Sequence, residues 1–137
     1  MALPKDTARK RYKVIFDNVT LTSAYQNCRR VEVEGQEQAV LLFTYTPTDV
    51  AGILEFKFLF STDSGWCEEV IENRSANPVA IEKVSYTFTA ESELGSPIVS
   101  RFRFAIPLGD TNMIVAVKET AATAGTARVV LETSTAT

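Results

Sequence analysis

Apolar and polar residues alternate along almost the whole of this chain, and no stretch shows the three-to-four spacing of a convincing amphipathic helix. Runs such as GILEFKFLF (52–60), VSYTFTA (84–90) and IVSRFRFAI (98–106) put Phe and Ile on one side and Glu, Lys, Arg or Thr on the other. A period of two marks strands with one buried face. Short Gly, Pro, Asn and Asp breaks separate the runs, as turns between strands require. The pattern predicts an all-β chain of eight to ten short strands, mainly antiparallel, in a two-sheet sandwich or a closed barrel; of these a jelly-roll-like sandwich is the reading adopted. No period of 20–50 residues repeats, which argues against a solenoid or propeller.

The alternation of Tyr12, Val14 and Phe16 with Lys13 and Asp17 predicts a first strand over 11–17, with Asn18 as a turn or bulge before a short run at Val19 and Leu21. Further strands are expected at 29–34, 39–46 and 53–60, the last with Leu54, Phe56, Phe58 and Phe60 on one face. The segment 66–74 could follow a helical spacing, but its β-branched residues and the exit at Asn77 and Pro78 favour a strand. Runs at 79–89, 98–106, 112–118 and 127–132 complete the set, with 91–97 as a polar loop and 120–126 as a hairpin loop.

At 137 residues the chain has the size of one domain, and 45% hydrophobic residues suffice for a core without staples. Its net charge of −3 is unevenly spread. Residues 1–13 carry five cations against Asp6, a net of +4, which leaves the remainder at −7. The expected organisation is a basic arm at 1–10, a sandwich at 11–133 and a frayed tail at 134–137. Two readings of the leader stand: a solubilising terminus, or an arm that reaches an acidic neighbour such as another copy. No apolar run matches a bilayer span or the core of an export signal, so a cytoplasmic site of synthesis is expected. Cys28 and Cys67 are then expected to be free, buried thiols.

Histidine is absent, which removes the Ser–His–Asp and Cys–His forms of catalysis, the usual zinc ligands and the commonest general base. No P-loop or GxGxxG pattern occurs, and no cofactor is implied. Glu68 and Glu69 beside Asp63 and Trp66 have the composition of a glycosidase site, but neighbouring side chains of a strand point to opposite faces and cannot converge on one bond. Asp110 with Asn112 has half the pattern of a calcium loop and reads as a hydrogen-bonded turn. The sequons at Asn18 and Asn73 read as chance triplets. Arg101 and Arg103 alternate with Phe102 and Phe104, so the rings belong to the core and the arginines form an exposed row, with no direct contact to nucleic acid.

A leading arm before an all-β domain, the start KVIFDNVTL (13–21), the stretch FAIPLGDTNMIVAVKET (104–120) and the final ARVVLET (127–133) together resemble the decoration or cement proteins of tailed bacteriophages. The resemblance implies a noncatalytic virion subunit that forms a homo-oligomer, a trimer for choice, and reinforces a capsid shell. Its partners would be the major capsid protein or other virion subunits, with no membrane. Lys5, Arg9, Lys10, Arg11 and Lys13 would be the contacts of the arm, and Arg101 and Arg103 a second contact row. Two alternatives remain open: a carbohydrate- or receptor-binding module, marked by exposure of Trp66, Tyr25 or Tyr45, and a component of the neck or tail. An enzyme would need Glu68 or Glu69 brought against Asp63 or Glu91.

Overall fold

A computed structural model describes residues 9–33, 36, 38–106, 112–121 and 124–135. Among them the strands run β1 (Arg9–Thr20), β2 (Gln26–Asn27), β3 (Gln38–Thr46), β4 (Ile53–Thr62), β5 (Gly65–Glu68), β6 (Val70–Asn73), β7 (Ala80–Lys83), β8 (Tyr86–Thr89), β9 (Ser92–Glu93), β10 (Ser96–Pro97), β11 (Ser100–Ala105), β12 (Met113–Thr120) and β13 (Thr126–Thr135). The fold is all-β, and every strand pair in it is antiparallel.

Two principal sheets form. The first has the order β1-β13-β3-β11; the second runs β2-β12-β4, with β5 and β8 sharing the far edge of β4. The inward positions of β4 supply Leu54, Phe56 and Phe58, all buried, as the alternation in 53–60 requires. Phe56 lies at ring-centroid distances of 4.6 Å from Phe43 of β3 and 5.1 Å from Phe104 of β11, so aromatic side chains of both sheets meet at the centre. Such ring pairs contribute about 0.5–1.5 kcal/mol each beyond the area they bury. On the far side, Phe88 of β8 stacks on Phe102 of β11 at 4.3 Å, which brings those two edges together.

A buried carboxyl joins the sheets at one end. Glu119 of β12 is fully buried, accepts a hydrogen bond from Tyr45 Oη of β3 at 2.5 Å, and accepts another from the Gly125 N–H at 3.2 Å. Burial first, and then the bond to Glu119, raise the Tyr45 phenol well above its ordinary range. Glycines make the room. A Cβ on Gly125 would stand 2.6 Å from Glu119 Oε2 and 3.0 Å from the Thr46 carbonyl oxygen, and one on Gly52 would stand 2.5 Å from Tyr45 Oη.

Several expectations change. The first strand is one strand over Arg9–Thr20, not two runs, and its partner β13 extends to Thr135, so Arg9, Lys10 and Ser134 lie inside the sheet rather than in an arm or tail. Tyr12 and Val14 do not share a face with Phe16, because the register slips by one residue between Val14 and Phe16. This bulge sends Phe16 into the core and leaves Tyr12 and Val14 exposed. A second irregularity follows at Asn18, whose φ of 51° suits an asparagine in the left-handed region. The expected strand at 29–34 is reduced to a bridge between Val31 and Met113. The loop at 91–97 contains the β9–β10 hairpin. The hairpin expected at 120–126 is not formed, since β12 and β13 belong to different sheets.

The thiols are both free, but only Cys28 is buried; Cys67 is exposed on β5, at the margin where β4 outruns the core. Burial raises the Cys28 thiol, and its sulfur accepts the Val115 N–H at 3.2 Å. A disulfide reagent should therefore titrate one thiol in the folded protein and two after denaturation. Mass mapping that placed the first label on Cys28 would contradict this assignment.

Candidate functional site

The bulge in β1 decides which side chains face the gap between the sheets. Along the inward side of the first sheet, one row runs Phe16, Val129, Phe43 and Phe102, and the next runs Lys13, Leu131, Leu41 and Phe104. Arg11 begins a further row with Thr133 and Ala39. Positions that hold core residues on the other three strands are thus occupied by cations on the edge strand. They can be, because the sheets are open there.

Opposite β1 stands the segment that borders β12, fixed by the Cys28 N–H to Val115 O bond at 2.9 Å and by paired bonds between Val31 and Met113 at 2.8 and 3.0 Å. It contributes Arg29 and Arg30, both exposed. Between the two edges lies a cleft of about 550 Å³ whose lining includes Arg11, Lys13, Arg30, Glu32, Val31 and Leu131. A second hollow of about 240 Å³ adjoins it at Lys13 and Val31 and adds Arg29. Arg30 reaches Glu32 at 3.5 Å with both side chains largely in solvent, a pair worth under about 1 kcal/mol. The result is a mostly polar cleft with a lip dominated by positive charge, Val31 and Leu131 lying nearly covered at its base. A site of this kind suits an acidic segment.

The outer face of the first sheet is a second basic surface. Its rows read Val14, Val130, Leu42, Arg103 and then Tyr12, Glu132, Val40, Ala105, with Arg128, Thr44 and Arg101 at one end and Lys10 at the other. Tyr12 is 60% exposed, and its hydroxyl is raised from the ordinary range, first by its hydrogen bond to Glu132. Glu132 also lies 3.8 Å from Arg103. Arg101 and Arg103 are exposed here while Phe102 and Phe104 face inward, as strand alternation demands.

Comparison with protein-family models and with curated proteins finds no match. The chemistry of the surface must therefore come from the residues themselves.

Of the arm residues singled out in the sequence, Arg11 and Lys13 line the cleft and Lys10 lies on the outer face of β1. Arg9 pairs through its backbone with Thr135, and Lys5 lies outside the described residues. Sequence reasoning missed Arg29, Arg30 and Arg128. Arg29 and Arg30 were assigned to a regular strand, and only the spacing of the sheets shows that they stand across a gap from Arg11 and Lys13.

On the outer face of the second sheet, Tyr25 lies over the Lys57 and Lys118 ammonium groups at 4.3 and 4.7 Å and donates to Glu55. Burial and that bond raise the Tyr25 phenol. Burial alone would raise Glu55, but hydrogen bonds from Tyr25 and Thr120 and the charge of Lys118 outweigh it, and the carboxyl is lowered. Glu68 is lowered by hydrogen bonds from Lys57 at 2.6 Å and Lys83 at 2.8 Å. Glu69 instead accepts from Tyr86 at 3.4 Å, and Glu91 from Ser100 at 2.5 Å. Each of these carboxyls is thus held by a different partner. Trp66 is 41% exposed, Tyr25 half-buried and Tyr45 wholly buried. Asp110 lies outside the described residues, and among those described no three His, Cys, Asp or Glu are placed to hold a metal.

Proposed function

We propose that this chain is a noncatalytic structural subunit of a bacteriophage particle, a jelly-roll-like sandwich that forms homo-oligomers and adheres to the capsid shell. The observation that carries the reading is the outer face of the first sheet, where exposed Val14 shares a row with Arg103, exposed Tyr12 lies in the next row beside Glu132, and Arg101, Arg128 and Lys10 flank them. A face whose exposed Tyr12 and Val14 are flanked by cations, of which Arg103 and Arg128 also pair with Glu132 and Asp17, suits docking on an acidic protein surface, the charges steering and the centre excluding water. The diffuse resemblance to decoration proteins supplies the phage setting.

Co-sedimentation with undecorated phage heads tests it. The intact protein should pellet with the heads at low salt and release as ionic strength rises, since exposed charges farther apart than about 8 Å are screened at physiological salt. The double variant Arg101→Glu/Arg103→Glu should stay folded, both side chains being exposed, and lose at least tenfold in retention. Equal pelleting of variant and parent at low and high salt would refute the assigned face. A truncation meant to probe the leader must stop at Ala8, because Arg9–Lys13 pair with β13.

A carbohydrate-binding module is the second reading, and the exposure of Trp66 favours it. Glycan binding read by calorimetry, lost in Trp66→Ala with the melting temperature unchanged, would establish that reading in place of the first.

A further inference from the structure

We propose that copies of this chain join head to tail, with the β9–β10 hairpin of one copy entering the basic cleft between β1 and residues 28–33 of the next. This deepens the proposed function and rests on its homo-oligomeric part, which it turns into two named surfaces.

The hairpin is built to present one side chain. Ser96 pairs with Glu93 and Pro97 with Ser92, leaving Leu94 and Gly95 as a two-residue turn with φ of 51° and 80°. Turns of this type suit Asn-Gly, because both central residues occupy the left-handed region. A leucine there is strained, and its side chain is 100% exposed, so no packing within its own copy offsets the strain. Glu93 stands beside it, Glu91 lies at the hairpin's base, and Ile98 and Val99 continue the exposed apolar surface at 37% and 42%. The tip is therefore an apolar knob with negative charge behind it.

The cleft is its complement. Arg11, Lys13 and Arg30 outnumber Glu32 at the lip and are opposite in charge to the carboxylates of Glu91 and Glu93, while Val31 and Leu131 lie nearly covered at the base. The cleft's volume of about 550 Å³ exceeds that of a leucine side chain, which is room for the tip of the hairpin. The β6–β7 hairpin is a poorer candidate. It exposes Ile71 and Ile81 on opposite faces of its ribbon and mixes Arg74 and Lys83 with its glutamates.

Topology makes the contact intermolecular. The cleft lies at the β1 and β2 edges, whereas residues 90–99 join β8 to β11 at the opposite edges, held together by the Phe88–Phe102 stack. One copy cannot fill its own cleft. A knob on one edge and a cleft on the other make a heterologous contact, which closes into a ring or runs on as an open chain.

Light scattering on the full chain at micromolar concentration decides this with two variants. Leu94→Asn removes the knob and suits the left-handed turn, so its melting temperature should equal or exceed the parent's. Arg11→Glu/Arg30→Glu reverses the lip at two exposed positions. The parent should exceed twice the 15.1 kDa chain mass, and each variant alone should return the monomer mass. Mixed one to one, the variants should form a heterodimer of twice the chain mass, since the intact hairpin of one fits the intact cleft of the other. A monomeric parent, an oligomeric Leu94→Asn, or a mixture that stays monomeric would each overturn the proposal. Only the first of these also counts against the homo-oligomer reading. Loss of shell binding by Arg101→Glu/Arg103→Glu with oligomer mass unchanged bears on the docking face alone.

Discussion

Glu119→Ala should lower the unfolding free energy by about 3–5 kcal/mol, read as a fall in urea midpoint at unchanged m. The carboxyl is fully buried and satisfies two donors, Tyr45 Oη from the first sheet and the Gly125 N–H. Removing it orphans both donors at a buried position and leaves a cavity, and each unsatisfied buried donor costs about 1–3 kcal/mol. Tyr45→Phe should cost less, because it takes away only one bond and leaves the ring in place. Gly125→Ala should sit between them at about 1–3 kcal/mol: the new Cβ meets the Thr46 carbonyl at 3.0 Å, and backbone cannot swing aside as a flexible side chain can. An alanine at 119 that left the midpoint within 1 M of the parent would show that this junction contributes little to holding the sheets together.

The junction also marks what a linear reading can and cannot reach. The strands of 39–46, 53–60, 98–106 and 112–118 were legible because one face of each is directed at the core: Leu54, Phe56 and Phe58 alternate with Glu55 and Lys57, and Phe102 and Phe104 with Arg101 and Arg103, while 39–46 and 112–118 are apolar enough to read as strands even with Leu42 and Ile114 on the other face. β1 was misread because a bulge breaks that rule. Tyr12, Val14 and Phe16 are evenly spaced in the chain, yet the extra residue before Phe16 turns it inward against Val129 while Val14 stays outward with Val130. The same slip determines the candidate site. Lys13 falls on an inward row, and a cation in such a place is visible only once the neighbouring sheet is known to stand open beside it. Glu119 was passed over for a related reason. It follows Lys118 in an ordinary alternation, and nothing local distinguishes a carboxyl that points between two sheets from one that points to water. The 120–126 loop has the Ala, Thr and Gly of a hairpin turn, and only the separate pairings of β12 with β4 and β13 with β3 show that no hairpin forms.

Phe56→Ala should be the most damaging single truncation in the core, at about 3–5 kcal/mol. Phe56 is 2% exposed, and its ring lies within 6.4 Å of the rings of Phe43, Phe58, Tyr86, Phe102 and Phe104. These neighbours come from β3, β4, β8 and β11, so collapse around the missing ring would have to move both sheets at once. Where a site cannot collapse, the cavity term adds in full to the lost transfer energy. Phe60 provides the control. It shares the face and the chemistry but is only half-buried, with Phe58 as its ring neighbour at 6.3 Å, and Phe60→Ala should cost less than half as much. Cys28 gives an independent readout, since its thiol is free and buried and should react only when the core opens. If modification follows the open population, a loss of about 4 kcal/mol speeds it roughly a thousandfold at about 1.4 kcal/mol per factor of ten. Equal Cys28 labelling rates in Phe56→Ala and Phe60→Ala would show that the aromatic cluster is not the centre from which the sandwich is held.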